Sequence, residues 1–193
     1  TVASHYPDMM FFIPGEADGT YPVLANVRHI DTSGGLADFA AAIAACDVLV
    51  SSDSSAYHLA AAVGTPSLVF FGPISSRVRT GYYPLTLAID STYSGHTCHA
   101  PCGISTLLET PSDIPLAREG IRKLEQGMKL TTYTGLEFTF DALRGCPEAN
   151  ALGAAYSPCL SGIPPDTVID SFEKVLAWSR ERKTAAQARE SGR

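Results

Sequence analysis

In the first half of the chain, apolar and polar positions alternate in blocks rather than residue by residue. Residues 9–13, MMFFI, form an unbroken apolar run cut off by PGEADG, the pattern of a buried strand followed by a loop. A second short strand is predicted at 27–30. DTSGGLADFAAAIAACD then carries Leu36, Phe39, Ala40 and Ile43 at helical spacing, with Thr32 or Ser33 as the N-cap and Asp31 and Asp38 as helix-start charges. Residues 47–51 read as a strand and 56–63 as an alanine-rich helix closed by Gly64, while PSLVFFG reads as another apolar strand. TLAID, ending at Asp90, predicts the next one. Strand, helix and strand within so few residues imply a right-handed parallel crossover. Apolar strands alternating with helices predict an α/β fold, a doubly wound parallel sheet of Rossmann-like type covered on both faces.

After Asp90 the alternation stops. Residues 93–103 read as a loop rich in Gly, His and Cys, 115–128 as a helix, and KLTTYTGLEFTF as a strand pair turning near Gly135. PPDTVIDSFEKVLAWSRER restores a helical pattern: Val168, Ile169, Phe172, Val175 and Leu176 share one face, and the two prolines mark its start. The last ten residues are polar and are expected to fray. Tyr82, Tyr83 and Trp178 read as packing groups.

Composition narrows the function classes. The 193 residues suffice for one sizeable domain, and a net charge of -6 disfavours a surface that tracks nucleic-acid phosphates. No apolar stretch reaches the roughly 18 residues that span a bilayer, and no signal-peptide pattern opens the chain, so the expected location is the cytoplasm. The first residue is Thr1 rather than methionine, and the expectation is a fragment. Of five cysteines, Cys98, Cys102, Cys146 and Cys159 fall in turn-rich sequence, whereas Cys46 stands alone in an apolar segment. HTCHAPC places His96, Cys98, His99 and Cys102 together, all residue types that ligate zinc. The spacing of three residues between its cysteines departs from a zinc knuckle, so a closed structural site or disulfides are favoured over a catalytic metal, with free buried thiols as a third alternative.

The candidate chemistry centres on SSDSSAYH. In an open parallel sheet, ligands bind beyond the carboxyl ends of the strands, where helix N-termini direct unpaired N–H groups and a partial positive charge. Asp53 is placed to cap the helix and accept from a ligand. Ser54 and Ser55 add hydroxyls, and His58 lies three and four residues on, on their face. Phosphate is the guest this arrangement fits. The plainer alternative is an ordinary helix cap with a structural histidine. Arg77, in the loop after the next strand, is either a solvated side chain or a further cation placed to meet an anion.

DVLVSSDSSAYHLAAAVGTPSLVFFGP resembles the signature of glycosyltransferase family 9, the heptosyltransferase-like enzymes: apolar strand, Asp-Thr-Gly, His-Leu-Ala-Ala-Ala, Gly-Thr-Pro, apolar strand and Phe-Gly-Pro. TSGGLADFAAAIAACD is similar to the family's preceding helix. CHAPC and CPEANALGAAYSPCL are similar to its cysteine-bearing tail, and IPPDTVIDSFEKVL to its closing helix. Residues 104–144 read as an insertion relative to the family. The domain boundaries are accordingly 1–182 for a single nucleotide-sugar-binding domain and 183–193 for a flexible tail.

The resemblance implies the C-terminal, donor-binding half of a GT-B fold, with an irregular cysteine-containing extension. Asp53, Ser54, Ser55 and His58 would meet the sugar and diphosphate of a nucleotide-diphospho-sugar donor. Glu16 would sit near the nucleoside and Arg77 near the diphosphate. The implied reaction is an inverting, metal-independent sugar transfer, heptose-like, with no cofactor, whose general base lies in the N-terminal half of the enzyme as a partner. Ser54-Ser55 departs from the family's Thr-Gly and narrows the backbone's approach to a phosphate. Two alternatives stand beside this: a non-catalytic nucleotide- or sugar-binding module, and another GT-B enzyme such as a nucleotide-sugar epimerase.

Overall fold

The computed structural model describes residues 2–15, 23–95, 98, 100–102, 130–131, 137–138, 146–154 and 156–191. They fall into two compact units, one made of Thr1–Leu68, Leu85–Leu87 and Pro164–Arg193, the other of Val69–Pro84 and Ala88–Ile163.

The first unit opens with α1 (Val2–His5), then β1 (Phe11–Pro14) and β2 (Val27–Ile30), which pair in parallel from Phe11 opposite Val27 to Pro14 opposite Ile30. The apolar run begins at Met9, yet the strand starts at Phe11, because Asn26 claims the chain just before it. The Asn26 amide nitrogen lies 2.9, 2.9 and 3.0 Å from the carbonyl oxygens of Ala3, Tyr6 and Met9, tying α1 to the start of both strands.

Helix α2 (Leu36–Ala45) buries Ile43, as its spacing predicts, but Leu36 is 67% exposed. Its N-cap is Gly35 rather than Thr32 or Ser33. Ser33 is held by the Asp31 carboxylate, which accepts from its N–H and its hydroxyl at 2.8 and 2.9 Å and holds the Asp31 pKa below its usual value.

Strand β3 (Leu49–Ser52) leads into α3 (Ser55–Val63), then β4 (Ser67–Phe71) and β5 (Thr86–Asp90) follow, with sheet order β3-β4-β5. Strands β4 and β5 each begin in the first unit and end in the second. Their hydrogen bonds run from Ser67 N to Leu85 O and from Ser91 N to Phe71 O; the partners advance together, as in a parallel pair. The parallel α/β class expected from the sequence is therefore present. Only β4 has the nearly uniform burial of a strand covered on both faces, whereas β1 and β3 alternate between half-buried and exposed positions. Among the described residues, β1 and β3 are edge strands that do not pair with each other.

The closing helix of the unit, α6 (Pro165–Ser191), buries Phe172, Val175 and Ser179 on one face. It runs through residues expected to fray, which are rich in the helix formers Ala, Arg, Gln and Glu. An ion pair from Lys183 to Asp47 ties it to the residue pair before β3. Gly64 ends α3 in the left-handed region, φ 77°, and a β-carbon there would lie 3.1 Å from the Arg182 guanidinium. Gly64→Ala is expected to cost about 1–2 kcal/mol, chiefly from the backbone, since the arginine can swing aside. The loss should appear as a lower urea midpoint with an unchanged slope.

In the second unit, the N–H and hydroxyl of Ser76, in a 3₁₀ turn (Ser76–Val78), both donate to the Asp90 carboxylate at the end of β5. Strands β6 (Leu130–Thr131) and β7 (Glu137–Phe138) pair antiparallel, the pair read from the sequence; the turn near Gly135 and the helix expected at 115–128 lie outside the described residues. Two short helices follow, α4 (Pro147–Leu152) and α5 (Pro158–Ser161). Glu148 of α4 is only 1% exposed, and the Tyr93 hydroxyl donates to it at 3.0 Å. Tyr82, read as a packing residue, is instead fully on the surface, 95% exposed.

Candidate functional site

The connection from β3 to α3 is two residues, Asp53 and Ser54. Ser54 has the extended backbone of an N-cap, and its hydroxyl oxygen accepts from the Ala56 N–H at 3.4 Å, so the cap that the sequence assigned to Asp53 belongs to its neighbour. Ser51 at the end of β3 donates to the Ser52 carbonyl at 2.8 Å, which leaves the Ser54 hydroxyl to donate back to Ser51 Oγ across 2.9 Å. Two hydroxyls, those of Ser51 and Ser54, are thus linked at the carboxyl end of a parallel strand. The cap bond is long, and the first-turn N–H groups of α3 face outward with the positive end of the helix dipole.

Ser54 and Ser55 are exposed and line a cleft of about 990 Å³ in the first unit. All of β1 and β3 lines it as well, together with Asp47, Arg180 and Lys183. His58 is exposed one turn into α3, its ring tilted at 34° to that of the buried Tyr57 with centroids 4.0 Å apart. Asp53 is half-buried; neither it nor His58 lines the cleft. Asp53, Ser54, Ser55 and His58 thus lie at one helix start, of which Ser54 and Ser55 line the cleft. Arg77 belongs to the second unit, exposed on its 3₁₀ turn, and Glu16 lies outside the described residues. Sequence reasoning took Ser51 and Ser52 into the polar row SSDSSAYH, marked by the break from apolar to polar residues before β3 ends, but gave them no role in the site.

Among the described residues no cysteine is joined in a disulfide. Burial pushes the Cys98 thiol up to about 12, reinforced by the thiols of Cys102, Cys146 and Cys159, and Cys159 is raised by burial and then by Cys146 and Cys102. The four cysteines of the second unit therefore share one neighbourhood, although among the described residues no three His, Cys, Asp or Glu side chains are arranged to hold a metal ion. A folded-state thiol pKa above its unfolded value favours folding at pH below the unfolded value, and that contribution is lost as pH rises toward the folded one. The second unit is expected to lose stability between about pH 9 and 12, which urea melts across that range should show.

The model of glycosyltransferase family 9 (heptosyltransferase) matches residues 32–106, taking in α2, β3, α3, β4, β5, Cys98 and Cys102 and stopping before Cys146, Cys159 and α6. No curated protein and no solved structure matches the chain. Among the described residues no helix is long and apolar enough to cross a membrane. The resemblance read from the residues around α3 is thus supported where it is densest: residues 32–106 match the model of glycosyltransferase family 9.

Proposed function

We propose that the first unit holds the nucleotide-diphospho-sugar donor of an inverting, metal-independent glycosyltransferase, in the manner of the C-terminal half of a GT-B enzyme. The observation that carries this reading is the start of α3: a serine-capped helix N-terminus at the carboxyl end of a parallel strand, inside the family-matched segment and opening onto a cleft. The diphosphate takes the N–H groups of the first turn and the Ser54 and Ser55 hydroxyls. Asp53 and His58 meet the sugar and the phosphate oxygens. An acceptor hydroxyl, deprotonated by a carboxylate of the other half, attacks the anomeric carbon; the bond to the diphosphate breaks, and the helix start stabilises the charge left on it. Removing preorganised donors of this kind costs about 10²–10³-fold in turnover in measured cases.

The test is sugar transfer by the two-half enzyme carrying Asp53→Ala or His58→Ala. Activity should fall by about a hundredfold or more with the fold retained. Full activity in both variants would remove the site from the reaction.

A further inference from the structure

We propose that the cleft between β1 and β3 receives one further β-strand, an extended, uncharged, β-branched peptide segment of about five residues that pairs in parallel with both edges and joins the two sheets into one. This stands independently of the donor reading.

The walls of the cleft define the occupant. The N–H groups of Phe11 and Gly15 bond to the carbonyls of Asn26 and Ile30, so odd-numbered positions of β1 face β2. In a parallel strand the N–H and C=O of one residue point to the same side and alternate along the chain, so Phe12 turns both groups to the opposite edge. Likewise the Leu49 N–H bonds to the Pro66 carbonyl, which turns Leu49 and Ser51 toward β4 and Val50 and Ser52 toward the cleft. Two ladders of backbone donors and acceptors therefore border one space, and Pro14 removes a donor only at the end of the β1 ladder. Their complement is another extended backbone. A helix has its backbone groups bonded internally, and a nucleotide seated between the strands, rather than at their carboxyl ends beside Ser54 and Ser55, would set charge against Phe11, Ile13, Leu49, Val50 and Leu176, which also line the space.

Size agrees. A five-residue strand about 4.8 Å wide and 10 Å thick, rising about 3.3 Å per residue, fills roughly 800 Å³, and the cleft measures about 990 Å³. Topology agrees as well. The observed neighbours are β2-β1 and β3-β4-β5, and the doubly wound order 3-2-1-4-5-6 has one strand between those two groups, at the point where the winding reverses. Unfilled, Phe12 at 50% exposure and Val50 at 39% would leave two sticky sheet edges. Filled, the strand would end beside Ser54 and Ser55.

The experiment is amide hydrogen exchange by NMR on the whole chain, with and without the synthetic peptide Lys-Thr-Val-Ile-Val-Thr-Lys, and with the same peptide N-methylated at alternate residues as the control. Exchange at Phe12 and Val50 should slow by about tenfold or more with the first peptide, remain unchanged with the second, and change little at Phe11 and Leu49, which are already bonded. Three results would overturn the proposal. The first is no slowing at millimolar peptide, and the second is equal slowing by the N-methylated control. The third is a chain already dimeric and protected at Phe12 and Val50 without peptide, which assigns the cleft to a second copy.

Discussion

Gly95→Ala is expected to unfold the second unit while leaving the first intact. A β-carbon on Gly95 would overlap Glu148 Oε1 and lie 2.6 Å from the Tyr93 hydroxyl oxygen. Neither neighbour can step aside at low cost. Glu148 is buried, and its carboxylate accepts from Tyr93, whose pKa is raised by burial first and by that hydrogen bond second. Inserting a methyl group therefore both overpacks the site and strips a buried carboxylate of its donor. Overpacking alone costs about 1–3 kcal/mol, and a buried acceptor left unmatched adds about 1–3 more. Exchange mass spectrometry should show peptides covering residues 146–163 losing protection, with β1 and β2 unaffected. Gly81→Ala is the control, since the nearest atom to a β-carbon there is the Arg77 carbonyl at 3.9 Å. Equal stability of the two variants would contradict the packing described around Glu148.

Phe172→Ala should produce the largest loss in the first unit, about 3–5 kcal/mol. Phe172 is 4% exposed, and its ring lies 5.2 Å from Tyr6 and 6.2 Å from Phe11, so it joins α6 to the residue after α1 and to β1. It also lines the cleft, so truncation removes part of the support behind β1. Phe172→Leu, which keeps most of the volume, should cost less than about 1.5 kcal/mol. Urea unfolding followed by Trp178 fluorescence reads both. A loss below about 1 kcal/mol for Phe172→Ala would mean that α6 is held by its polar contacts instead.

Local signals made much of the fold legible. The strand at Thr86–Asp90 and the one at Val27–Ile30 fall where the apolar runs and their turn residues put them, and Gly64 caps α3 in the left-handed conformation that glycine permits. What was not legible depends on residues distant in sequence. Strand β1 starts late because Asn26 binds the carbonyls before it, and residues of α6 read as a tail continue the helix, with Lys183 paired to Asp47. The split between β1 and β3 is invisible to periodicity, which reports the faces of a strand and not its neighbours.

The candidate site divides along the same line. That polar residues between β3 and α3 form a helix start was readable from spacing, but which one caps was not: Asp53 and Ser54 are both strong capping residues, and the Ser51 hydroxyl beside Ser54 favours the serine. The sequence could not place Arg77, since its position depends on a turn that Asp90 holds by bonding Ser76. Nor could it show that the four cysteines of the second unit converge, because Cys146, just before α4, and Cys159, in α5, come from far along the chain.

The most direct measurement is a calorimetric titration of the chain with ADP, UDP and GDP, repeated with Asp53→Ala and Ser54→Ala. Binding of a nucleoside diphosphate at the start of α3 predicts that one of the three binds, with an affinity as weak as millimolar still counting, about -4 kcal/mol. Both variants should lose that heat while remaining folded. Diphosphate binding that survives both substitutions, or a folded chain that binds none of the three at millimolar concentration, would contradict the account.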